Sequence, residues 1–563
     1  MRLSGGRMQP AGHDAELPGR RPNLSNHVRD DHPFRAATGG LMGRRIRWLG
    51  AIMVVCLGLV MVQLVNIQLV KGKALANSPY NPRIAVLAYN NDRGEILASD
   101  GTVLAQSVPT PSAASSTDPY KYVRQYPGGG LYAGITGYAD SLFYGINGDD
   151  GIEEQYDSYL RAHSQSAETL SQLLFREKQP TVTDNVTLTI EPKLQQVAWN
   201  ALTATAGNNE GAVVVLDPKT GAVLAMVSNP TYDPNTLVST SISEEKLAYF
   251  SYTQKDPREG FFPLRPIATR EFFFPGSTMK VVTSTAVYNL KPSLANFDYP
   301  VARCQKFPDS TKLLCGETCG GTMEVMLPQS CDPGYGTLGV DVGVTTLRQQ
   351  AELFGINSVP GIDLPGVIAS KLQTLPDTAQ INQAYTSIGQ EFVEDTPLQN
   401  AMVAAGIANG GVVMTPHLMS SIHDSLGNLV TSYTPTAMPR SASAAAAQKV
   451  TSLMEAVANN TVPNATANGI FPSYLCAAVK TGTAQTGLST NHDWMIGFAP
   501  ANNPQIAVAV VVPYQYIGTD GAQIAGPIVK AVMQAALPPG SVQQPCSVRP
   551  PPASVFASAH TGG

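Results

Sequence analysis

Ser277 and Lys280 stand three residues apart in Phe272-Phe-Phe-Pro275-Gly276-Ser277-Thr278-Met279-Lys280, where a proline–glycine turn runs into a segment whose Met279, Val282 and Ala286 share one helical face. That spacing predicts a hydroxyl and an amine on the same face at a helix N-terminus. A neutral amine there takes the hydroxyl proton, and the helix dipole favours the negative charge that develops beside it, which is the chemistry of nucleophilic acyl transfer. A second lysine follows 203 residues after Ser277, in Lys480-Thr481-Gly482-Thr483. This segment continues from Cys476-Ala-Ala-Val479 into Ala484-Gln485 and reads as an edge strand able to line a cleft.

Both signals have decoys. Ser243-Glu-Glu-Lys246 repeats the first spacing, but in a charged run where Ser241 and Glu244 suit a capping box. Lys219-Thr220-Gly221 repeats the triplet, but it closes the turn Asp217-Pro-Lys-Thr-Gly221, which accounts for its glycine. His417, His492 and the run Phe272 to Phe274 read as packing residues.

The elements that must position these groups follow from periodicity. Pro192 opens an amphipathic helix through Leu194, Val197, Ala198, Ala201 and Leu202, ending near Gly207. Ala212 to Leu216 and Val223 to Val227 read as two strands joined by the Asp217 turn; Ala477 to Ala484, Trp494 to Phe498 and Ile506 to Val512 read as three more, before a helix from about Ala525 to Ala536. Helix, two strands, many helices, three strands and a helix give an α+β architecture, an antiparallel sheet sandwiched by helices. Upstream, Gly94 to Leu104 reads as a hairpin within a mixed region.

The 23 residues from Trp48 to Val70 carry no charge and are long enough to cross a bilayer as a helix. An uncleaved anchor is favoured over a signal peptide cut near Ala74-Leu75-Ala76, because the apolar run exceeds a usual signal core. Five arginines precede the span within 20 residues, against Lys71, Lys73 and Arg83 after it, which places the C-terminal part outside. With 37 basic and 42 acidic residues and no long single-sign run, nucleic acid is not an expected partner. Six cysteines (Cys304, Cys315, Cys319, Cys331, Cys476, Cys546) lie beyond the span, and disulfides are their expected fate in an oxidising compartment; 15 pairings are open. Cys315-Gly-Glu-Thr-Cys319 does not match the paired spacing of a zinc site, so no metal is expected.

With Ser277-x-x-Lys280 and Lys480-Thr-Gly in this order, the chain resembles the serine acyl-transferases that comprise penicillin-binding proteins and β-lactamases. Gly211-Ala-Val-Val-Val-Leu-Asp-Pro-Lys-Thr-Gly221, Gly389-Gln390 with Thr396-Pro-Leu-Gln399, Ala408-Asn-Gly-Gly411 with Pro416-His417, and Trp494-Met-Ile-Gly-Phe-Ala-Pro500 look like signatures of a penicillin-binding protein transpeptidase domain. Arg93-Gly94 with Asp100-Gly101, and Gly151-Ile-Glu153 with Tyr156-Asp157 and Leu160, are similar to the non-catalytic pedestal of class B members, and no segment of glycosyltransferase size remains. The polar stretch 1–43, without apolar periodicity, reads as a disordered cytoplasmic tail, 44–71 as the anchor, and 539–563, rich in Pro, Ser and Gly, as a disordered tail. The resemblance implies a pedestal over 72–190 and a transpeptidase domain over 191–538.

The family's intervening Ser-x-Asn motif has its counterpart at Ser330-Cys331-Asp332, with aspartate in place of asparagine; Ser489-Thr490-Asn491 falls after Lys480, the wrong order, in an expected loop. By resemblance, Ser277 is the nucleophile, Lys280 its base and Ser330 a proton relay. Lys480 is a further catalytic residue that with Thr481 holds the substrate carboxylate; Asp332, Thr481, Gly482 and Thr483 bind substrate, with backbone N–H groups of Ser277 and Thr483 forming the oxyanion hole. The implied substrates are peptidoglycan stem peptides on a lipid-linked precursor, with β-lactams as inhibitors and no metal or organic cofactor. The implied partner is a polytopic glycan polymerase in the membrane. A carboxypeptidase or β-lactam-hydrolysing relative, and a non-catalytic scaffold, remain as alternatives. An ionised Asp332 opposes the scheme, because it favours the charged amine that a base must lose.

Overall fold

A computed structural model describes residues 39–71, 89–110, 120–139, 150–164, 181–205, 209–254, 260–459 and 461–542. The alternative cleavage site near Ala74, Cys546 and residues 543–563 of the tail expected over 539–563 lie outside these residues. The chain divides into two units, residues 1–76 and 77–563.

In the first unit, α1 (Gly39–Val65) is followed by a π-helical turn, Asn66–Val70. Within them Arg45–Gln68 is a 24-residue stretch long and apolar enough to cross a membrane, with none of it buried inside the protein. The helix starts inside the stretch expected to be tail (1–43).

In the second unit, the central sheet is built from β1 (Gly211–Leu216), β2 (Val223–Asn229), β5 (Ala478–Gln485), β6 (Thr490–Ala499) and β7 (Ile506–Tyr516). Its order is β5-β6-β7-β1-β2, antiparallel throughout. Strand alternation sends Val213 and Val215 to one side, against Leu194, Ala198 and Leu202 of α2 (Pro192–Thr203) and Ile528, Val529 and Val532 of α7 (Ala525–Ala536). Ala212, Val214 and Leu216 face the other side, with Val282 and Ala286 of α3 (Met279–Leu290) and Leu398 and Ala401 of α6 (Pro397–Ala408). Because both faces are covered, β1 is apolar at every position.

Three local expectations are corrected. The α2 helix ends at Thr203, short of Gly207, because Thr203 and Thr205 hydroxyls turn back to the carbonyls of Trp199 and Ala201 and Asn209 Nδ2 caps Thr203 O at 3.0 Å. The capping box at Ser241 is not made: Ser239 Oγ accepts the Ser241 N–H and donates to Glu244, while Ser241 Oγ meets Ser243 Oγ. The apolar stripe of α3 is instead all-round burial from Met279 to Val287. Its polar members are satisfied internally, Thr283 donating to Ser387 O at 2.8 Å and Ser284 meeting Tyr335 OH at 2.7 Å.

The upstream region forms a six-stranded sheet from Ile96–Leu97, Val103–Pro109, Tyr122–Gln125 and Asp184–Leu188, joined by Met419–Asp424 and Leu429–Ser432 from far later in the chain. Beside it, Arg93 Nε and Arg124 Nε each lie 2.6 Å from the Glu153 carboxylate, and Arg93 also reaches Asp157 at 2.7 Å. Burial pushes the Glu153 carboxyl upward, but the two guanidinium charges outweigh it and hold the group below its usual range. Arg270 to Asp150 at 2.6 Å and Tyr156 to Asp363 at 2.7 Å tie this region to the segments around the central sheet.

Candidate active site

Pro275 and Gly276 enter a short 3-10 turn (Gly276–Thr278) that passes directly into α3, so Ser277 sits where the first N–H groups of a helix lack intrahelical partners. Gly276 adopts φ +55°, and a Cβ on it would lie 3.0 Å from the Thr483 carbonyl carbon. A Cβ on Gly482 would lie 2.9 Å from Pro275 O. The serine turn and the edge strand β5 therefore touch backbone to backbone, and glycine at both positions lets them approach without strain.

Lys280 and Lys480 are fully buried, while Ser277 keeps 9% exposure. Lys280 Nζ donates to Asp332 Oδ1 at 2.6 Å and to Ser330 O at 2.7 Å, and lies 3.4 Å from Ser330 Oγ. Lys480 Nζ donates to Ser330 Oγ at 2.9 Å and to Thr481 O at 2.8 Å. One hydroxyl thus stands between two amines. Among the described residues, no hydrogen bond joins Ser277 Oγ to Lys280; the amine is turned towards the Ser330-Cys331-Asp332 segment instead. Thr481 Oγ1 pairs with Thr466 Oγ1 at 2.8 Å, and Thr483 Oγ1 accepts from Gly521 N at 3.3 Å.

Burial depresses the Lys280 amine below its usual range, and the Asp332 carboxylate returns part of that shift. Lys480 is driven well down by burial first and by the charge of Lys280 second, against the pull of Asp332. Desolvation is thus the leading cause, ahead of the like-charge repulsion between the lysines.

Ser330 has φ +56°, a left-handed conformation at the entrance to α4 (Asp332–Val342). Two disulfides brace it. Cys304–Cys315 closes the hairpin of β3 (Tyr299–Lys306) and β4 (Leu313–Gly321), and Cys319–Cys331 fastens β4 to the residue between Ser330 and Asp332. Cys476 is also disulfide-bonded. Cys331 was expected in a disulfide with its pairing open; the bridge to Cys319 places it inside the Ser330–Asp332 triplet. Of the decoys, Lys219 lies in an exposed turn bonded to Asn503, and Ser243 and Lys246 are exposed on their helix. Asn491 is not in a loop but near the start of β6, paired in register with Gln485. His417 and His492 are buried, and burial alone lowers His492 to about 4.

Residues 211–534 match the family described as the penicillin-binding protein transpeptidase domain, and residues 93–183 match the penicillin-binding protein A dimerisation domain. The chain belongs to the penicillin-binding protein transpeptidases. This penicillin-binding protein is 33% identical over 516 residues to a peptidoglycan D,D-transpeptidase, PbpA, of Mycolicibacterium smegmatis, covering 89% of this chain and all of the relative. Among solved structures it is similar to penicillin-binding protein A of M. tuberculosis as a ceftriaxone acyl-enzyme complex. That match has a TM-score of 0.69 and 32% identity and covers 80% of this chain and all of the other. Penicillin-binding protein PBP2 of Pseudomonas aeruginosa in complex with WCK 5153 aligns with a TM-score of 0.64 and 28% identity, covering 81% and 98% of the two chains.

Proposed function

We propose that this penicillin-binding protein is a peptidoglycan D,D-transpeptidase working through a Ser277 acyl-enzyme, and that β-lactams acylate the same hydroxyl. The observation that carries the reading is the meeting of two fully buried lysines at one serine hydroxyl, beside a helix-mouth serine in contact with an edge strand.

Lys480 and the hydroxyls of Thr481 and Thr483 receive the terminal carboxylate of a pentapeptide stem. An incoming carboxylate favours the charged form of Lys480, reversing the pressure that burial exerts on it. Neutral Lys280 takes the Ser277 proton, and Oγ attacks the carbonyl of the penultimate D-alanine. The developing oxyanion is met by main-chain N–H groups of Ser277 and Thr483, which need no particular side chain. As the C–N bond breaks, the proton passes by way of Ser330 Oγ to the leaving amine of D-alanine. An amine of a second stem then attacks the ester, loses its proton to the base and frees Ser277, a ping-pong sequence. Asp332, paired with Lys280, holds that amine until substrate displaces the contact.

The candidate span found among the described residues and the arginine-rich segment before it support an anchored enzyme whose catalytic part lies outside the cytoplasm, acting on stems of a lipid-linked precursor. Such an anchor suits a partnership with a polytopic glycan polymerase of the elongation or division machinery. The test is labelling of the full-length protein with a fluorescent penicillin, alongside Ser277→Ala. Wild type is expected to form a covalent adduct and the variant none; an adduct on Ser277→Ala would overturn the assignment. Adding stem peptide with and without an acceptor amine separates cross-linking from simple release of D-alanine.

A further inference from the structure

Gly389-Gln390 lies between the serine turn and the edge strand and contacts both. Gly276 N, the residue before Ser277, donates to Gly389 O at 2.9 Å. Gly389 has φ +83°, and a Cβ on it would fall 1.9 Å from Gly276 O. With its amide turned to satisfy both neighbours, Gln390 donates to Gln485 O at 3.3 Å and accepts from Gln485 N at 3.0 Å. The dipeptide is itself anchored to α5 (Gln380–Ser387), through Gly389 N to Thr386 O at 3.0 Å and Gln390 N to Tyr385 O at 2.9 Å.

The parity of the strand gives this contact its meaning. Main-chain N–H and C=O of one residue in an antiparallel strand point to the same side, and the side alternates along the chain. Since Gln485 presents both groups to Gln390, and not to β6, its edge is the open one. Thr483, two residues earlier, therefore presents its N–H and C=O to that same open edge, where the oxyanion donor is required. The Gln390 amide occupies the pairing position next to Thr483 as a peptide unit of a bound strand would.

We propose that Gln390 is a positioning residue for the oxyanion hole. Through the two bonds to Gln485 and the Gly389–Gly276 bond, the dipeptide fixes the distance between the Ser277 N–H on the helix mouth and the Thr483 N–H on the strand. The inference rests on the acyl-transfer reading above. Its consequence is selective: loosening this brace weakens donors aimed at the tetrahedral oxygen, while the lysines and threonines that receive the ground-state carboxylate stay in place.

The experiment compares Gln390→Met, which keeps the volume and loses both bonds, with Gln390→Glu, which keeps an acceptor for Gln485 N but repels Gln485 O. Acylation by fluorescent penicillin is resolved into its reversible binding constant and its bond-forming rate, with affinity for a boronic acid that adds to the serine measured in parallel and thermal unfolding as control. Gln390→Met is expected to slow bond formation and weaken the boronate by about tenfold to a hundredfold, with Gln390→Glu between it and wild type, at little cost in reversible binding or melting temperature. Wild-type acylation in both variants would overturn the inference, as would losses that track melting temperature or reversible binding. Should Gln390→Met not fold, Gln390→Glu carries the same comparison. Failure of the functional reading looks different, since it would leave an adduct on Ser277→Ala.

Discussion

Asp332 puts a carboxylate 2.6 Å from the amine that the proposed chemistry needs neutral. The sign of its effect is fixed: the anion favours the ammonium form, so replacing it with the family's asparagine lowers the Lys280 pKa further. Asp332→Asn is therefore expected to move the alkaline-going limb of penicillin acylation to lower pH by about one unit or more. An unchanged profile from about pH 6 to 9, a range that brackets a working base near 7, would remove any charge effect at this position. A second carboxyl acts on stability. Burial raises Asp395 to about 7, with Oδ1 lacking a partner. Its native state holds a proton that the unfolded chain releases near pH 4, so stability falls by about 1.4 kcal/mol per pH unit as pH rises between those values and then levels off. Asp395→Asn is expected to flatten that decline in urea unfolding measured from about pH 5 to 8, a window that takes in most of the stretch between the two titrations. An equal slope in both proteins would show that Asp395 is ionised in the fold.

The β3–β4 hairpin holds the Ser330-Cys331-Asp332 segment from outside the sheet. Cross-linking residues about a dozen apart removes roughly 3 kcal/mol of chain entropy from the unfolded state, so Cys319→Ala with Cys331→Ala is expected to lower stability by up to that amount. It should also slow acylation at constant Ser277 chemistry, because Ser330 and Asp332 lose the tether that holds a left-handed residue in place. Labelling that stays at the wild-type rate would make the bridge purely structural. The central strands were legible in the sequence because each is a short apolar run bounded by turn residues, as at Asp217 to Gly221. Helix ends were less so: Ser239, two residues upstream of the expected cap, takes the bonds that Ser241 and Glu244 were expected to exchange. The order Ser277, Ser330, Lys480 was readable as motif, but the Lys280–Asp332 pair and the Cys319–Cys331 bridge arise from contacts across 52 and 12 positions, which no local pattern encodes.

At the scale of the molecule, the upstream sheet is completed by a hairpin from residues 419–432, so the region read as a separate pedestal is stitched into the catalytic half. Gly94, Glu153 and Asp157, known from sequence only as family-like positions, prove to be a close approach, the centre of a buried ion cluster and its partly exposed rim. Removing Glu153 leaves two guanidinium groups facing each other in the interior, and Glu153→Ala is expected to cost about 3–5 kcal/mol in urea unfolding. A loss below about 1 kcal/mol, typical of an exposed pair, would show that the cluster is hydrated. The sealing of Lys280 and Lys480 has a different kind of outcome. Mobile ions damp only those charges they can approach, over about 8 Å at physiological strength. Two amines wrapped in the protein's own low-dielectric interior keep their mutual influence whatever the surrounding salinity, so swings in osmolarity that would weaken a surface-bound catalyst leave this one's proton affinities almost untouched.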